Sequence, residues 1–321
     1  MKQFWKSLSL KAKLFLILLG CTGILVAVHL YERLQPRVTI HTLDNETEST
    51  CDLNNPISIG AFNIAHGRGD GDADKNATGE TEDERLGRLE KINSLISHNP
   101  PTFLVLNECD FDTHWSHGVF QPEHIAKDLY KYAITQSNYQ ARLLTHSWNF
   151  GNVILCNQKP EKVELIEFEP LKSYEAFVVG NHDGLLAHFK DKNGNPFRIL
   201  AVHLEVRSEE TRLLAAKKII ETEQQEDSPL FVAGDFNSTY ETMPYHKPTE
   251  EGPSAIDHLI VESNLITAIP DNALHATFST KDPHRRLDWI LIPHHWQTTR
   301  HYTQLTPLSD HGYIWAEFRK K

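Results

Sequence analysis

The sequence predicts a layered α/β domain behind one N-terminal transmembrane helix. From Ile57 onward, apolar runs of strand length alternate with longer segments of helical periodicity. Asn193–Gly194 lies between two of those runs and has the turn chemistry of a hairpin. At the other end, Leu14–Leu30 is apolar apart from Thr22 and His29.

Those seventeen residues would span roughly 26 Å as a helix, slightly short of a ~30 Å hydrocarbon core. Trp5 and Tyr31 can extend the segment at its interfaces. Lys2, Lys6, Lys11 and Lys13 precede it, and Glu32, Arg33 and Arg37 follow. The positive-inside bias then places the N-terminus in the cytoplasm and the rest of the chain outside, in a periplasm or the extracellular space. Other readings stay open. A cleaved signal peptide would need a small-x-small site, and none is clean here. Leu18–Leu19–Gly20–Cys21 resembles a lipoprotein box, but the apolar run continues through Ile24–Val28. A buried core helix is the remaining reading.

Residues 1–36 are therefore expected to form the anchor, 37–55 a polar tether and 56–321 one large domain. Within the tether, Val38–Leu43 could add a short strand. Residues 1–37 hold six Lys/Arg and one Glu; the remainder holds 26 Lys/Arg against 42 Asp/Glu, a net charge of −16. A domain this acidic is a poor non-specific binder of nucleic acid, where Lys/Arg contacts to phosphate supply the affinity. Of four cysteines, Cys21 lies in the anchor, Cys51 in the tether and Cys156 in an apolar run, and no metal-type CxxC spacing occurs. Nothing selects a disulfide partner for Cys51.

The elements follow in order. Ile57–Asn63 reads as a strand. Glu82–Ser97 has apolar residues at Leu86, Leu89, Ile92, Leu95 and Ile96, a helical spacing. Phe103–Leu106 is a buried-type strand ending on Asn107–Glu108. Gly151–Cys156, Phe177–Val179, Leu185–Phe189 and Phe197–His203 are further strands. Glu209–Gln225 is a second helix, with Leu213, Leu214, Ala216, Ile219 and Ile220 on one side. Leu230–Val232 leads into Gly234–Asp235, Asp288–Ile292 opens a strand on an acid, and Tyr313–Phe318 is the last strand.

The chemistry sits at the ends of these runs. In Gly234–Asp235–Phe236–Asn237, extended geometry puts Asp235 and Asn237 on one face and Phe236 on the other. A carboxylate that can take a proton beside an amide that can donate a hydrogen bond suits attack on a phosphate or acyl group. Asn63, Glu108, His203, Asp288 and Asp310–His311 likewise terminate or precede apolar runs. Such ends can converge at one rim of a sheet. Other clusters carry less. Gly67–Arg68–Gly69–Asp70–Gly71 lacks the Lys-Ser/Thr of a phosphate loop. Asp72, Asp74, Asn76 and Asp83 approach calcium-loop spacing, but Ala77 stands where glycine is needed. His114, His117, His294 and His295 read as surface or loop residues.

The ordered set Asn63, Glu108, His203, Gly234–Asp235–Phe236–Asn237, Asp288 and Ser309–Asp310–His311 resembles the endonuclease/exonuclease/phosphatase superfamily. The opening Asn63–Ile64–Ala65–His66–Gly67–Arg68–Gly69 is most similar to its bacterial metal-dependent hydrolase branch. The resemblance spans roughly Pro56 to Phe318. It departs after His203, where Arg212 follows without a customary glutamine, and at Gly312–Tyr313, where Arg-Pro is common. It implies a four-layer sandwich of two mixed β-sheets flanked by helices, and a divalent-metal-dependent phosphoester hydrolase.

By that resemblance, Glu108 would ligate the metal, with Asn63 and Asp310 completing or supporting the site. Oxygen ligands favour Mg²⁺ or Mn²⁺. Asp235 would deprotonate the attacking water and Asn237 would hydrogen-bond it. His311, kept protonated by Asp288, would contact a phosphate oxygen, and His203 would bind the phosphate from the other side. The anchor and acidic domain tilt the substrate toward a lipid-borne or small phosphodiester. An extracytoplasmic nuclease, or a silent binding module on the same fold, is the alternative. A monomer is expected. Glycosylation of the Asn237–Ser238–Thr239 sequon would block the site, which favours a compartment without that modification.

Overall fold

In the computed structural model, residues 9–70, 79–172, 174, 180–240, 254–270 and 275–321 are described. The candidate strand Phe177–Val179 and the acidic-loop positions Asp72, Asp74 and Asn76 lie outside them.

Helix α1 (Leu10–Arg33) is capped by the Ser9 hydroxyl and buries none of its residues. It is long and apolar enough to cross a membrane, a character that a signal sequence shares. Strand β1 (Val38–Thr42) follows and pairs with β4 (Tyr132–Leu143). The first part of the expected tether is thus the edge of a sheet.

Among the described residues, thirteen strands form two sheets. The first has the order β1, β4, β5 (His146–Cys156), β3 (Phe103–Asp110), β2 (Ile57–Asn63), β13 (Tyr313–Lys320), β12 (Trp296–Gln304). The second runs β10 (Leu265–Thr267), β11 (Asp288–Pro293), β9 (Leu230–Asp235), β8 (Pro196–His203), β7 (Gly184–Lys190), β6 (Lys162–Ile166). Pairs β2–β3 and β8–β9 are parallel and the others antiparallel, so both sheets are mixed. Helices α2 (Glu82–Ser97) and α3 (Gln121–Ala126) pack outside the first sheet; α4 (Glu209–Gln224) and α5 (Ala255–Glu262) pack outside the second. The result is the four-layer arrangement that the family resemblance implied.

The period of two in the strands builds these layers. Ile57, Ile59 and Ala61 of β2, Phe103 and Val105 of β3, Ile199 and Ala201 of β8, and Phe231 and Ala233 of β9 meet between the sheets. Their neighbours Phe62, Leu104 and Leu106 face α2 and α3, while Leu200, Val202 and Val232 face α4 and α5. Each fully buried Val, Leu, Ile or Phe among them contributes about 1.5–3 kcal/mol of transfer free energy. The helices start where capping is satisfied: Thr81 and Glu84 form a reciprocal capping box on α2, and Ser208 caps α4. Asn193–Gly194 makes the turn of the β7–β8 hairpin, with Gly194 at φ 82°.

Gly234 is the tightest point of the second sheet. Its φ is 136°, and a Cβ there would fall 2.0 Å from the Val202 carbonyl oxygen and 3.1 Å from Asn107 Oδ1. Gly234→Ala should therefore cost about 3 kcal/mol or more, from backbone strain and overpacking together. Gly194→Ala, which meets nothing within 4 Å, should cost about 1 kcal/mol for its left-handed backbone alone. Denaturant unfolding of both variants followed by tryptophan fluorescence checks this; equal losses would contradict it.

Candidate functional site

The alternation that builds the core also aims the polar strand ends. Asn63 continues the inward series Ile57, Ile59, Ala61; Asn107 continues Phe103, Val105; His203 continues Ile199, Ala201; Asp235 continues Phe231, Ala233. Asp288 heads the inward series Ile290, Ile292. All five therefore fall between the sheets at one rim. Strand register brings them level: Asn63 is paired with Asn107, His203 with Asp235, and Asp288 with Asp235 across the ladder.

Glu108 does not follow this rule. By parity with Leu104 and Leu106 it would face the outer helices. The β3–β5 register shifts between Leu106 and Cys109, and Glu108 adopts φ 49°. That irregularity turns the carboxylate into the rim. Cys109 then resumes the outer layer. Asn237 (φ 51°), Ala65 (φ 47°) and His66 (φ 56°) also hold left-handed backbone around the site. The His66 carbonyl that follows this turn accepts from Gln121 Nε2 at 2.8 Å and from Arg85.

Asn63 joins the two sheets. Its Nδ2 donates to Glu108 Oε1 at 3.1 Å and to Asp235 Oδ2 at 3.0 Å, while its Oδ1 accepts from Ala65 N at 3.0 Å. The amide nitrogen, rather than the oxygen expected of a metal ligand, thus faces the carboxylates. Asp235 Oδ2 also lies 3.6 Å from His203 Nε2 and 3.6 Å from His311 Nε2. His311 Nδ1 lies 2.8 Å from Asp288 Oδ2. Thr277 Oγ1 fixes the start of β11 by accepting from Leu287 N and Asp288 N. Ser309 Oγ donates to the Asn63 carbonyl at 2.6 Å and accepts from His311 N at 3.1 Å, tying the last loop to β2. Asn237 N donates to Asp235 Oδ1, and its side-chain amide donates to the Leu204 carbonyl.

The electrostatics are set by burial against opposite charge. Burial would raise the Glu108 carboxyl, but His66, His203, the Asn63 amide and His311 outweigh it and bring it to about 2. Burial would lower His311, yet Asp288 and Asp235 hold it up at about 10. Asp310 is raised, chiefly by burial, which with a smaller push from Glu108 outweighs the attraction of His311. His182, packed edge-on against His203 with ring centroids 4.9 Å apart, is pushed down to about 4 by burial and that neighbour.

Two places can take a cation. Asp235, Asp288 and His311 offer atoms within 4.8 Å of one another, but Asp288 and His311 are already joined by their own hydrogen bond. The Glu108 side fits better. Glu108 is held ionised and partly open, and the burial that raises Asp310 is a cost that a bound cation would offset. An oxygen donor set of this kind suits a hard divalent ion.

The sequence reading passed over several residues of this rim. Asn107 Nδ2 donates to Asn152 Oδ1 and to the Val202 carbonyl, and Asn107 Oδ1 accepts from Asp235 N at 3.0 Å. Asn152 in turn donates to Gln136 and to the Asp183 carbonyl. All three amides are fully buried. Their signal was available: Gln136 and Asn152 stand in inward register with Ile134 and Ile154. His66 stands 3.4 Å from Glu108 Oε2 and 2.7 Å from Asp110 Oδ1. His114, His117 and His294 are exposed, as read. A cleft of about 310 Å³ opens beside Glu108 and His203, walled by His66, Phe150, His182 and Arg207. A larger cavity of about 690 Å³ lies among Arg33, Arg37, Asp183 and Lys218 and includes none of the clustered carboxylates or imidazoles of the rim.

The family model described as Endonuclease/Exonuclease/phosphatase family matches residues 60–311. Among solved structures, an endonuclease/exonuclease/phosphatase from Beutenbergia cavernae is similar at 17% identity and a TM-score of 0.63, over 83% of this chain and 72% of that one. The human nocturnin catalytic domain with bound sulfate is similar at 18% identity and 0.57, over 89% and 97%. A mannosyl-6-phosphatase of Bacteroides thetaiotaomicron is similar at 16% identity and 0.54, over 82% and 99%. At these identities the solved structures establish the fold. No curated protein matches the sequence.

The Asp288–His311 pair makes a pH prediction. With its folded value raised to about 10, protonated His311 contributes stability that is complete below the ordinary histidine value near 6.5 and is lost as pH rises through about 10. Asp288→Asn should move the His311 titration, followed by NMR, to lower pH. An unmoved titration would show that Asp288 does not hold this charge.

Proposed function

Because this chain belongs to the endonuclease/exonuclease/phosphatase family, we propose that it is a Mg²⁺- or Mn²⁺-dependent phosphodiesterase, anchored by α1 with its catalytic domain outside the cytoplasm. The observation that carries the reading is the Asn63 amide bridging Glu108 and Asp235, with two imidazoles 3.6 Å from the same Asp235 oxygen.

Asp235 takes the proton of the attacking water. Asn237 N holds Oδ1 and the Asn63 amide holds Oδ2, so the carboxylate is oriented at both oxygens. Asn237, held by the Leu204 carbonyl, keeps its amide oxygen for that water. His311 remains an imidazolium through neutral pH and offers Nε2 to the phosphoryl oxygen that gains charge in the transition state. Asp288 orients it and balances it. His203 offers Nε2 from the β8 side. Glu108 and Asp310 would hold the cation, which when bound supplies Lewis-acid stabilisation of phosphoryl oxygen.

The substrate class follows from charge. The chain outside the anchor is strongly acidic, so a polyanion is repelled at distances beyond the immediate site. A lipid-borne or small phosphodiester is preferred over duplex DNA. Turnover of duplex DNA, phospholipid vesicles and bis-p-nitrophenyl phosphate by the full chain, with Mg²⁺ and with EDTA at two salt concentrations, tests this. The expected result is metal-dependent hydrolysis of the small or lipid diester. Activity undiminished by EDTA, or a preference for DNA with a steep salt dependence, would contradict it.

Asp235→Asn and His311→Ala should each lower kcat on the order of 10² or more. Asp288→Ala combined with His311→Ala should be little worse than His311→Ala alone, because a pair acting as one unit is lost once. Multiplicative losses would refute the pair.

A further inference from the structure

Beyond the anchor itself, we propose that the tip of the β4–β5 hairpin is a second membrane contact, seated in the lipid interface beside the end of α1. The proposal rests on the membrane reading of α1.

The geometry begins with β1 and β4, which pair antiparallel with Val38 opposite Gln136. The antiparallel course continues past the end of β1. Arg37 and Ser137 exchange hydrogen bonds, Gln140 Nε2 donates to the Pro36 carbonyl, Arg33 lies over the Tyr139 ring, and Arg142 meets Glu32 at 3.6 Å. As β4 runs out, the partner chain runs backwards into the apolar helix. Leu144 is two residues past Arg142, about 7 Å along the strand. That matches roughly one helical turn below Glu32, level with about Val28.

The surface of α1 bears this out. Leu25, Val28, His29, Glu32 and Arg33 are partly covered, whereas Ile24, Val26, Leu30 and Tyr31 are exposed. The covered positions form one helical face, and α1 packs on β4.

The tip carries the wrong residues for an aqueous turn. Leu143 is 50% exposed and Leu144 68%. Leu144 also adopts φ 57°, a backbone that turns normally give to Gly or Asn. Arg142, at the level of Glu32, can meet headgroup phosphate, and Trp148 follows on β5. Two leucines projecting level with the last turns of an apolar helix fit a lipid surface.

The same hairpin supplies Asn138 and Phe150 to the catalytic cleft. Phe150 lies four residues along β5 from His146, the partner of Leu143, or about 13 Å. A seated tip would therefore fix the cleft close above the headgroups, where a phosphodiester carried by lipid is presented.

Nitroxide labels read this without any activity. The full chain carries Cys21→Ser and Cys51→Ser, with one label at Leu144→Cys, Leu143→Cys, Ile17→Cys or Val261→Cys, in phosphatidylcholine/phosphatidylglycerol vesicles. Labels at 143 and 144 should shift toward the Ile17 label, favouring oxygen over an aqueous nickel reagent. The label at Val261, which is 75% exposed on α5, should stay aqueous. If Ile17 is lipid-buried while 143 and 144 match 261, the hairpin proposal falls and the anchor stands. If Ile17 is aqueous as well, the anchor reading falls and takes the proposal with it. Shielding at 143 and 144 from nickel without a gain in oxygen access would mean protein cover and overturns the lipid contact.

Discussion

The site depends on one hydrogen bond between sheets, from the Asp235 amide of β9 to Asn107 Oδ1 of β3. Away from this rim, where Asn107 also donates to the Val202 carbonyl and Asn63 to Asp235, the sheets meet mainly through apolar side chains, which attract without fixing register. A polar bond at the rim fixes it. Once Asn107 and Asp235 are joined, Asn63 beside Asn107 and His203 and Asp288 beside Asp235 follow from strand pairing alone. Gly234 is the concession that lets the backbones approach. The buried amides of Asn152 and Gln136 extend the bond into a satisfied network, without which each would be a costly orphan.

Charge is then balanced rather than accumulated. Glu108, Asp235, Asp288 and Asp310 meet His203, His311 and His66 at the rim. Neutral surroundings would protonate buried acids. Here the imidazoles keep Glu108 ionised, and the carboxylates keep His311 charged. Asp310 is instead pushed up, chiefly by its burial. This asymmetry separates a place suited to a cation from a place suited to a protonated base.

Much of this was legible in the sequence because strand ends and period-two alternation are local properties. β2, β3, β8, β9, β11 and β13, and helices α2 and α4, lie where the apolar runs placed them. Strand β4 was not legible, because Gln136, Asn138 and Arg142 interrupt its pattern, and their reasons are tertiary: the amide network, the cleft and the helix end. The turning of Glu108 inward was equally hidden. It depends on a register shift and a positive φ, which contradict the alternation that a sequence reading uses. The identity of Asn63 as the bridge between sheets required their relative placement, which no single strand encodes. Family resemblance supplied the residues of the rim, whereas the geometry showed that the Asn63 nitrogen faces the carboxylates.

The central claim is that Glu108 belongs to the cation and Asp235 to the water. Mn²⁺ binding to the full chain, measured by EPR for wild type, Glu108→Gln and Asp235→Asn, separates the two most directly. The account predicts that Glu108→Gln weakens binding at least about tenfold, about 1.4 kcal/mol, while Asp235→Asn still binds Mn²⁺ but loses turnover. Unchanged binding in Glu108→Gln, with loss in Asp235→Asn, would move the cation to Asp235, Asp288 and His311 and contradict the account.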